Sequence, residues 1–229
     1  MSARAVPVRE VLTIAYVVLT AQPLDRDDLV PLPERSLLRV RGSSDEALDR
    51  MAGLTHQRVV SRTIGPGAAR FAADEARREA LGLAEQHDGL VIDLQTPQVV
   101  EGSGIDPRPA AQWFSFGYDP EHPDEVGTHG LSALGLPEIS VHGVPEGQRP
   151  MYDMVVVGLV HRLLDEWPEH DPVGPARVTL GDITAGYEGG DPPESDNGAG
   201  VDVLIDYDPE VPALQVEFMS DPAETLFGS

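Results

Sequence analysis

"RPMYDMVVVGLVHRLLDEWPEH", residues 149–170, decides what kind of fold this chain takes. Its middle, MVVVGLV, is β-branched enough to serve as a buried strand. The continuation HRLLDEW spaces charged residues among leucines and favours a helix. At helical spacing Val156, Leu159, Val160, Leu163 and Trp167 form one stripe, and Val155, Val157 and Leu164 widen it. A helix that apolar has to be covered on most sides. The segment therefore reads as a long helix over about 151–167, set in a chain that is otherwise rich in strand patterns.

Just upstream lies THGLSALGLPEISVHG, residues 128–143. Leu131 and Leu134 fall at helix spacing, and Gly135 stops the helix by taking the left-handed conformation that costs glycine nothing. Pro137 blocks continuation and pushes Leu136 into an extended conformation. Ile139 and Val141 then alternate as in a strand, and LPEISVHGV (136–144) is expected at a sheet edge. His129 and Glu138 are left over as polar residues of this corner.

Further towards the N-terminus, VREVLTIAYVVLTAQP (8–23) holds a short apolar run preceded by Arg4 and Arg9, as in a leader. Glu10, Thr13, Tyr16 and Thr20 interrupt it and no A-x-A site follows, so residues 11–20 read as a first strand covered on both faces. The run is also too short to span a bilayer, which takes about 20 apolar residues. QPLDRDDLVPLPERS (22–36) is a loop and LLRVRG (37–42) a short strand. SSDEALDRMAGL opens a helix with Ser44 as N-cap and Asp45 and Glu46 in the first turn, ending at Gly53. QRVVSRTI (57–64) reads as a strand.

A second long helix, about 66–87, follows Gly65-Pro66-Gly67. Ala69, Ala72, Ala76, Ala80, Leu83 and His87 make a small-residue face, with Asp74, Glu75, Arg77, Arg78 and Glu79 towards solvent and Gly89 as the stop. GLVIDL and PQVVEG, separated by QT, form a hairpin. Between 102 and 124 the chain is rich in Gly, Pro and acid around WFSFGY (113–118), which is either a strand or a surface anchor. ARVTLGDI (176–183), VDVLIDYD (201–208) and ALQVEFMS (213–220) are three closing strands, and the acidic loop YEGGDPPESDNGAG between the first two is expected to be mobile. The class is α+β, a mixed and largely antiparallel sheet packed by two long helices. One domain, 1–229, is expected, with a subdivision near 102–124 into 1–101 and 125–229.

Composition restricts the function. The chain has 229 residues, a formal net charge of −23, 16 Arg and no Lys. Arg without Lys is most simply a codon effect of a GC-rich genome and points to a bacterial, actinobacterial source. Residues 1–78 carry 12 Arg against 10 acids, whereas 79–229 carry 4 Arg against 29 acids. Such a field repels phosphate backbones and anionic lipid, so neither nucleic acid nor membrane is expected as a partner. There is no Cys, which excludes disulfides, thiol nucleophiles and Cys-ligated metals.

Three chemistries bear on the residues. G-x-S-x-G is absent, and GSG at 102–104 has no strand–turn–helix context, so a serine hydrolase is not expected. GPGAAR (65–70) opens a helix but has neither the spacing nor the lysine of a phosphate loop. YDPEHPDEVGTH (118–129) gathers Asp119, Glu121, His122, Asp124, Glu125 and His129, and His142 follows; Asp119, His122 and His129 are the natural metal ligands there. No H-E-x-x-H-like spacing organises them.

The order T-x-G-L-x-x-x-G-L-P-E, carried by Thr128, Gly130, Leu131, Gly135, Leu136, Pro137 and Glu138, followed by an apolar helix and VTLGDITAG, resembles a bacterial domain family of unknown function. The resemblance covers about residues 89–186 and implies an α+β fold but no activity. Members of such families often lie among bacterial toxin-immunity systems. The expectation is a non-enzymatic, cytoplasmic, cofactor-free module of the immunity or regulatory type that binds another protein with a basic surface. Trp113, Phe116, Tyr118, His129 and Glu138 are its contact residues, since aromatics dominate binding hot spots. The alternative is a metal-dependent hydrolase built from the Asp, Glu and His of 118–142.

Overall fold

The computed structural model describes residues 5–100, 108–117, 121–192 and 199–227. They form two compact units, one of residues 9–104 and one of residues 105–229 together with the N-terminal segment up to Val8. Both are α+β. Tyr118 and Asp119, the GSG tripeptide and residues 193–198 of the acidic loop lie outside the described residues.

The first unit runs β1 (Leu12–Thr20), α1 (Arg35–Val40), α2 (Asp45–Met51), β2 (His56–Ile64), α3 (Ala69–Gln86), β3 (Leu90–Asp93) and β4 (Gln98–Val100). Its sheet is antiparallel in the order β2-β1-β3-β4. β1 is interior, which is why LTIAYVVLT is apolar on both faces. Val17 and Leu19 join Leu38 of α1, Leu48 of α2, Leu90, Ile92 and Val99 in one cluster. The alternate residues Ile14, Tyr16 and Val18 are left for the opposite face, and α3 packs on β1.

α3 lies close because Ala69, Ala72, Ala73, Ala76, Ala80 and Ala84 are its buried residues. The expected stripe strays at its end. A four-residue step from Ala80 reaches Ala84, so Leu83 is half-buried and His87 exposed. The helix is stopped by Asp88 in the left-handed region (φ 50°). Gly89 serves another purpose: a Cβ there would sit 2.4 Å from the Leu19 carbonyl oxygen.

Ser44 caps α2 as expected, its hydroxyl accepting from the Ala47 N–H at 3.1 Å. The strand expected at 37–42 is instead the helix α1. A strand would bury Leu38 and Val40 together, yet Leu38 is buried and Val40 is 79% exposed.

The second unit runs β5 (Ser115–Gly117), β6 (Val126–His129), β7 (Glu138–Val141), α4 (Arg149–Glu166), β8 (Gly174–Thr179), α5 (Leu180–Glu188), β9 (Gly200–Asp208), β10 (Ala213–Phe218) and α6 (Pro222–Phe227). Six strands take the order β5-β6-β7-β10-β9-β8, parallel between β7 and β10 and antiparallel elsewhere. β9 shows a one-sided sheet: Val201, Val203 and Ile205 are buried while Asp202, Leu204 and Asp206 are exposed. Leu214 and Val216 of β10 continue the inner face.

α4 is the helix read from MVVVGLVHRLLDEW, buried from Val155 through His161. It crosses α5 closely. A Cβ on Gly158 would lie 2.8 Å from Val178 Cγ1 and 3.0 Å from the Ile183 nitrogen, and one on Gly186 would lie 3.0 Å from the Val157 oxygen. Tyr152 packs its ring on Phe218 of β10, with centroids 4.5 Å apart.

Several local readings are corrected here. β7 is interior, between β6 and β10, because a partner strand from far along the chain covers the side expected to be an edge. ARVTLGDI is a strand only to Thr179; Thr179 and Asp182 then form a capping box that starts α5. The chain closes on α6 after its last strand, where Ala223 N–H donates to Asp221 at 2.7 Å. Among the described residues no helix is long and apolar enough to cross a membrane.

Candidate functional site

The cross-strand register lays out the outer face of the six-stranded sheet residue by residue. Glu138 pairs with Ala213 and Ala213 with Asp208, making one row. Gly117, Gly127, Ser140, Gln215 and Asp206 make the next. Glu217 pairs with Leu204 and Leu204 with Pro175; beyond them Asp202 pairs with Arg177. Asp202, Asp206 and Glu217 are exposed, and Leu204 is 41% exposed. Arg177 reaches Asp202 at 3.0 Å.

The charge imbalance falls on this unit. Residues 105–229 hold 4 Arg against 24 acids, whereas residues 9–104 hold 11 Arg against 15 acids. In the first unit the arginines find carboxylates within that unit: Arg39 pairs with Asp45 at 2.8 Å, Arg26 with Asp28 at 3.1 Å, and Arg62, Arg35 and Arg50 with Glu79, Asp49 and Asp88.

The expected contact residues scatter. Trp113 and Phe114 are 5% exposed and belong to the core. Trp113 donates from Nε1 to the Arg108 carbonyl at 3.1 Å, and the Arg108 guanidinium lies 3.9 Å from its ring centroid. Phe116 is half-buried with its ring edge-on to Phe114. An aromatic already packed in this way offers no anchor to a partner.

Glu138 is spent on its own turn. Its carboxylate accepts from Thr128 Oγ1 at 2.9 Å, Gly130 N–H at 3.0 Å, Ser132 N–H at 3.1 Å and Leu131 N–H at 3.4 Å. The Thr128 hydroxyl in turn accepts from the Ile139 N–H at 2.8 Å. Gly130 at φ 120° and Gly135 at φ 81° complete the corner around the 3-10 turn Leu131–Leu134. The T-x-G-L-x-x-x-G-L-P-E pattern is therefore a self-capping bend, in which the Thr128 hydroxyl and the Glu138 carboxylate answer each other and the backbone of the turn.

His129 does reach the outer face. It is exposed at the end of β6, with its imidazole over Gly117, where a Cβ would stand 2.6 Å from Nε2. His122 precedes β6, at the opposite end from His129. Among the described residues no three His, Asp or Glu side chains converge to hold a metal ion.

One constellation was not read from the sequence. His142, just past β7, lies with Nδ1 2.9 Å from Glu125 Oε1 and Nε2 3.1 Å from Ser140 Oγ and 3.0 Å from Gln215 Oε1. The i, i+2 spacing of Ser140 and His142 on a strand was its only local signal.

Two other places carry polar chemistry. At the start of α4 burial pushes the Asp153 carboxyl up against the opposing pull of Arg149, and burial raises Tyr152 and Tyr187 as well. In the first unit a groove of about 710 Å³ runs between α2 and α3, lined by Arg50, Arg78, Leu81, Glu85, Leu90 and Val91. Comparisons of the chain with family models, with curated proteins and with solved structures return no match.

Proposed function

We propose that residues 105–229 form a protein-binding module whose open sheet face receives the basic surface of another protein. The observation that carries the reading is the outer face itself, where Asp202, Asp206, Asp208 and Glu217 surround Leu204 and Arg177 is tied to Asp202. An apolar centre with a charged rim is the usual anatomy of an interface, and a single-sign field steers an oppositely charged partner towards it. The contact set thus moves from Trp113 and Glu138 to these acids, with His129 at one end of the face. An immunity or regulatory role follows naturally, the module masking a cationic toxin or a nucleic-acid-processing enzyme in the cytoplasm.

The test is capture of partners by the wild-type chain and by the Asp206→Arg/Glu217→Arg variant, at about 50 mM and about 500 mM salt. At the higher salt the Debye length falls well below 10 Å and exposed charge pairs are screened. Captured proteins are expected to be basic, to be lost from the variant, and to dissociate in salt. A partner that stays bound to the charge-reversed face sinks the proposal.

A further inference from the structure

The hydrogen-bond chain through His142 plays no part in that protein-binding reading, and its connectivity is that of a nucleophile, a base and an orienting carboxylate. We propose that Ser140, His142 and Glu125 form a hydrolytic relay on the open face, acting on small carboxylic esters whose alcohol part is cationic. Two separations support it: Ser140 Oγ to His142 Nε2 at 3.1 Å, and His142 Nδ1 to Glu125 Oε1 at 2.9 Å. Both fall within the reach that general-base activation of a hydroxyl requires.

The order of contacts assigns the roles. Glu125 holds the proton on Nδ1, which leaves the Nε2 lone pair for the Ser140 hydroxyl proton. On attack, Ser140 Oγ bonds the ester carbonyl carbon, its proton passes to Nε2, and the carbonyl oxygen takes the negative charge. The imidazolium so formed lies between Glu125 and Gln215 Oε1, which is 3.0 Å from Nε2 and accepts its new N–H. Collapse expels the alcohol oxygen, which takes that proton. Water then attacks the acyl-Ser140 carbonyl, gives a proton to Nε2, and that proton returns to Ser140 Oγ. One ester and one water become one acid and one alcohol.

The surroundings set the substrate class. The neighbour of Ser140 across the sheet is Gly127, which leaves room for a carbonyl beside the hydroxyl, and the His129 imidazole over Gly117 bounds that flank. His142 is 55% exposed, and such an open site suits a short acyl group. Asp206 stands beyond Gln215 in the same row and Glu217 on the same face, so a positive alcohol group is attracted there. Ser140 has no glycine-flanked elbow; it lies on a flat strand, and the base two residues on supplies the activation.

The test uses the full chain and reads covalent chemistry directly. A fluorophosphonate probe is expected to label Ser140, located by peptide mapping, and the label is expected to vanish in Ser140→Ala and to form at least about tenfold more slowly in His142→Gln. Acetylcholine, followed by acid release, is expected to be hydrolysed at least about tenfold faster than its neutral isostere 3,3-dimethylbutyl acetate. Ser140→Ala leaves the charge of the face unchanged, so partner capture persists while hydrolysis is lost, which separates the two proposals. Absence of label at Ser140 in the wild-type chain, or equal hydrolysis by Ser140→Ala, overturns the relay. Equal rates on the two esters overturn the cationic preference.

Discussion

Replacing Glu138 tests whether the 128–138 corner is held together as described. In Glu138→Ala the N–H groups of Gly130, Leu131 and Ser132 and the Thr128 hydroxyl lose a common acceptor. Hydrogen bonds to an ionised group contribute about 1.5–3 kcal/mol each. These contacts share two oxygens, and Glu138 is half-buried, so water re-solvates part of the turn. The net cost is therefore about 2–4 kcal/mol for Ala. Glu138→Gln keeps one accepting oxygen but turns an NH2 towards backbone N–H groups, and costs about 1–2 kcal/mol. The chain's two Trp, Trp113 and Trp167, both lie in residues 105–229, so their fluorescence follows that unit. With an m-value of about 2 kcal/mol/M, a loss of about 3 kcal/mol lowers the urea midpoint by about 1.5 M. Adding Thr128→Val to Glu138→Ala is expected to cost less than the sum of the two changes, because they share a bond. A Glu138→Ala midpoint within about 0.2 M of wild type refutes the self-capping account.

Glycine positions separate packing from propensity. Gly158→Ala is expected to destabilise by about 1–2 kcal/mol, overpacking of about 1–3 kcal/mol being partly offset by the helix propensity of Ala. Gly82→Ala, with nothing within 4 Å of its new Cβ, is expected to stabilise α3 by up to about 1 kcal/mol; urea melts by fluorescence and far-UV circular dichroism read the two, and a stabilised Gly158→Ala would disprove the close α4–α5 crossing. Burial raises the Asp153 carboxyl above its ordinary value of 3.8, so the native state binds more protons than the unfolded chain just above that value and stability falls as pH rises through the window. Asp153→Asn is therefore expected to match wild type below about pH 3.8 and to melt at a higher temperature than wild type at pH 7; a lower melting temperature at pH 7 would show that the Arg149 contact outweighs burial.

What local pattern can express was legible in the chain. The long helix α4, the Ala-faced α3, the Ser44 cap, the alternating β9 and the concentration of acid late in the sequence all follow from periodicity, caps and composition, which act over a few residues. Short segments fared worse because six residues carry too little periodicity to separate a strand from a helix: LLRVRG became α1, and LGDI left its strand for α5 once Thr179 and Asp182 closed a capping box. Glu138 and Trp113 looked available in the sequence; one turned out to satisfy a turn and the other to fill the core, and only packing distinguishes such roles from exposure. Strand neighbours were legible only where a tight turn joins them, as in the β3–β4 hairpin, and not where the pairing is distant in sequence. β7 is interior because β10, from the far end of the chain, pairs with it, and the same pairing brings Gln215 to His142 across 73 residues. Nothing local to either residue records that meeting, since it is set by which apolar faces the whole unit buries together.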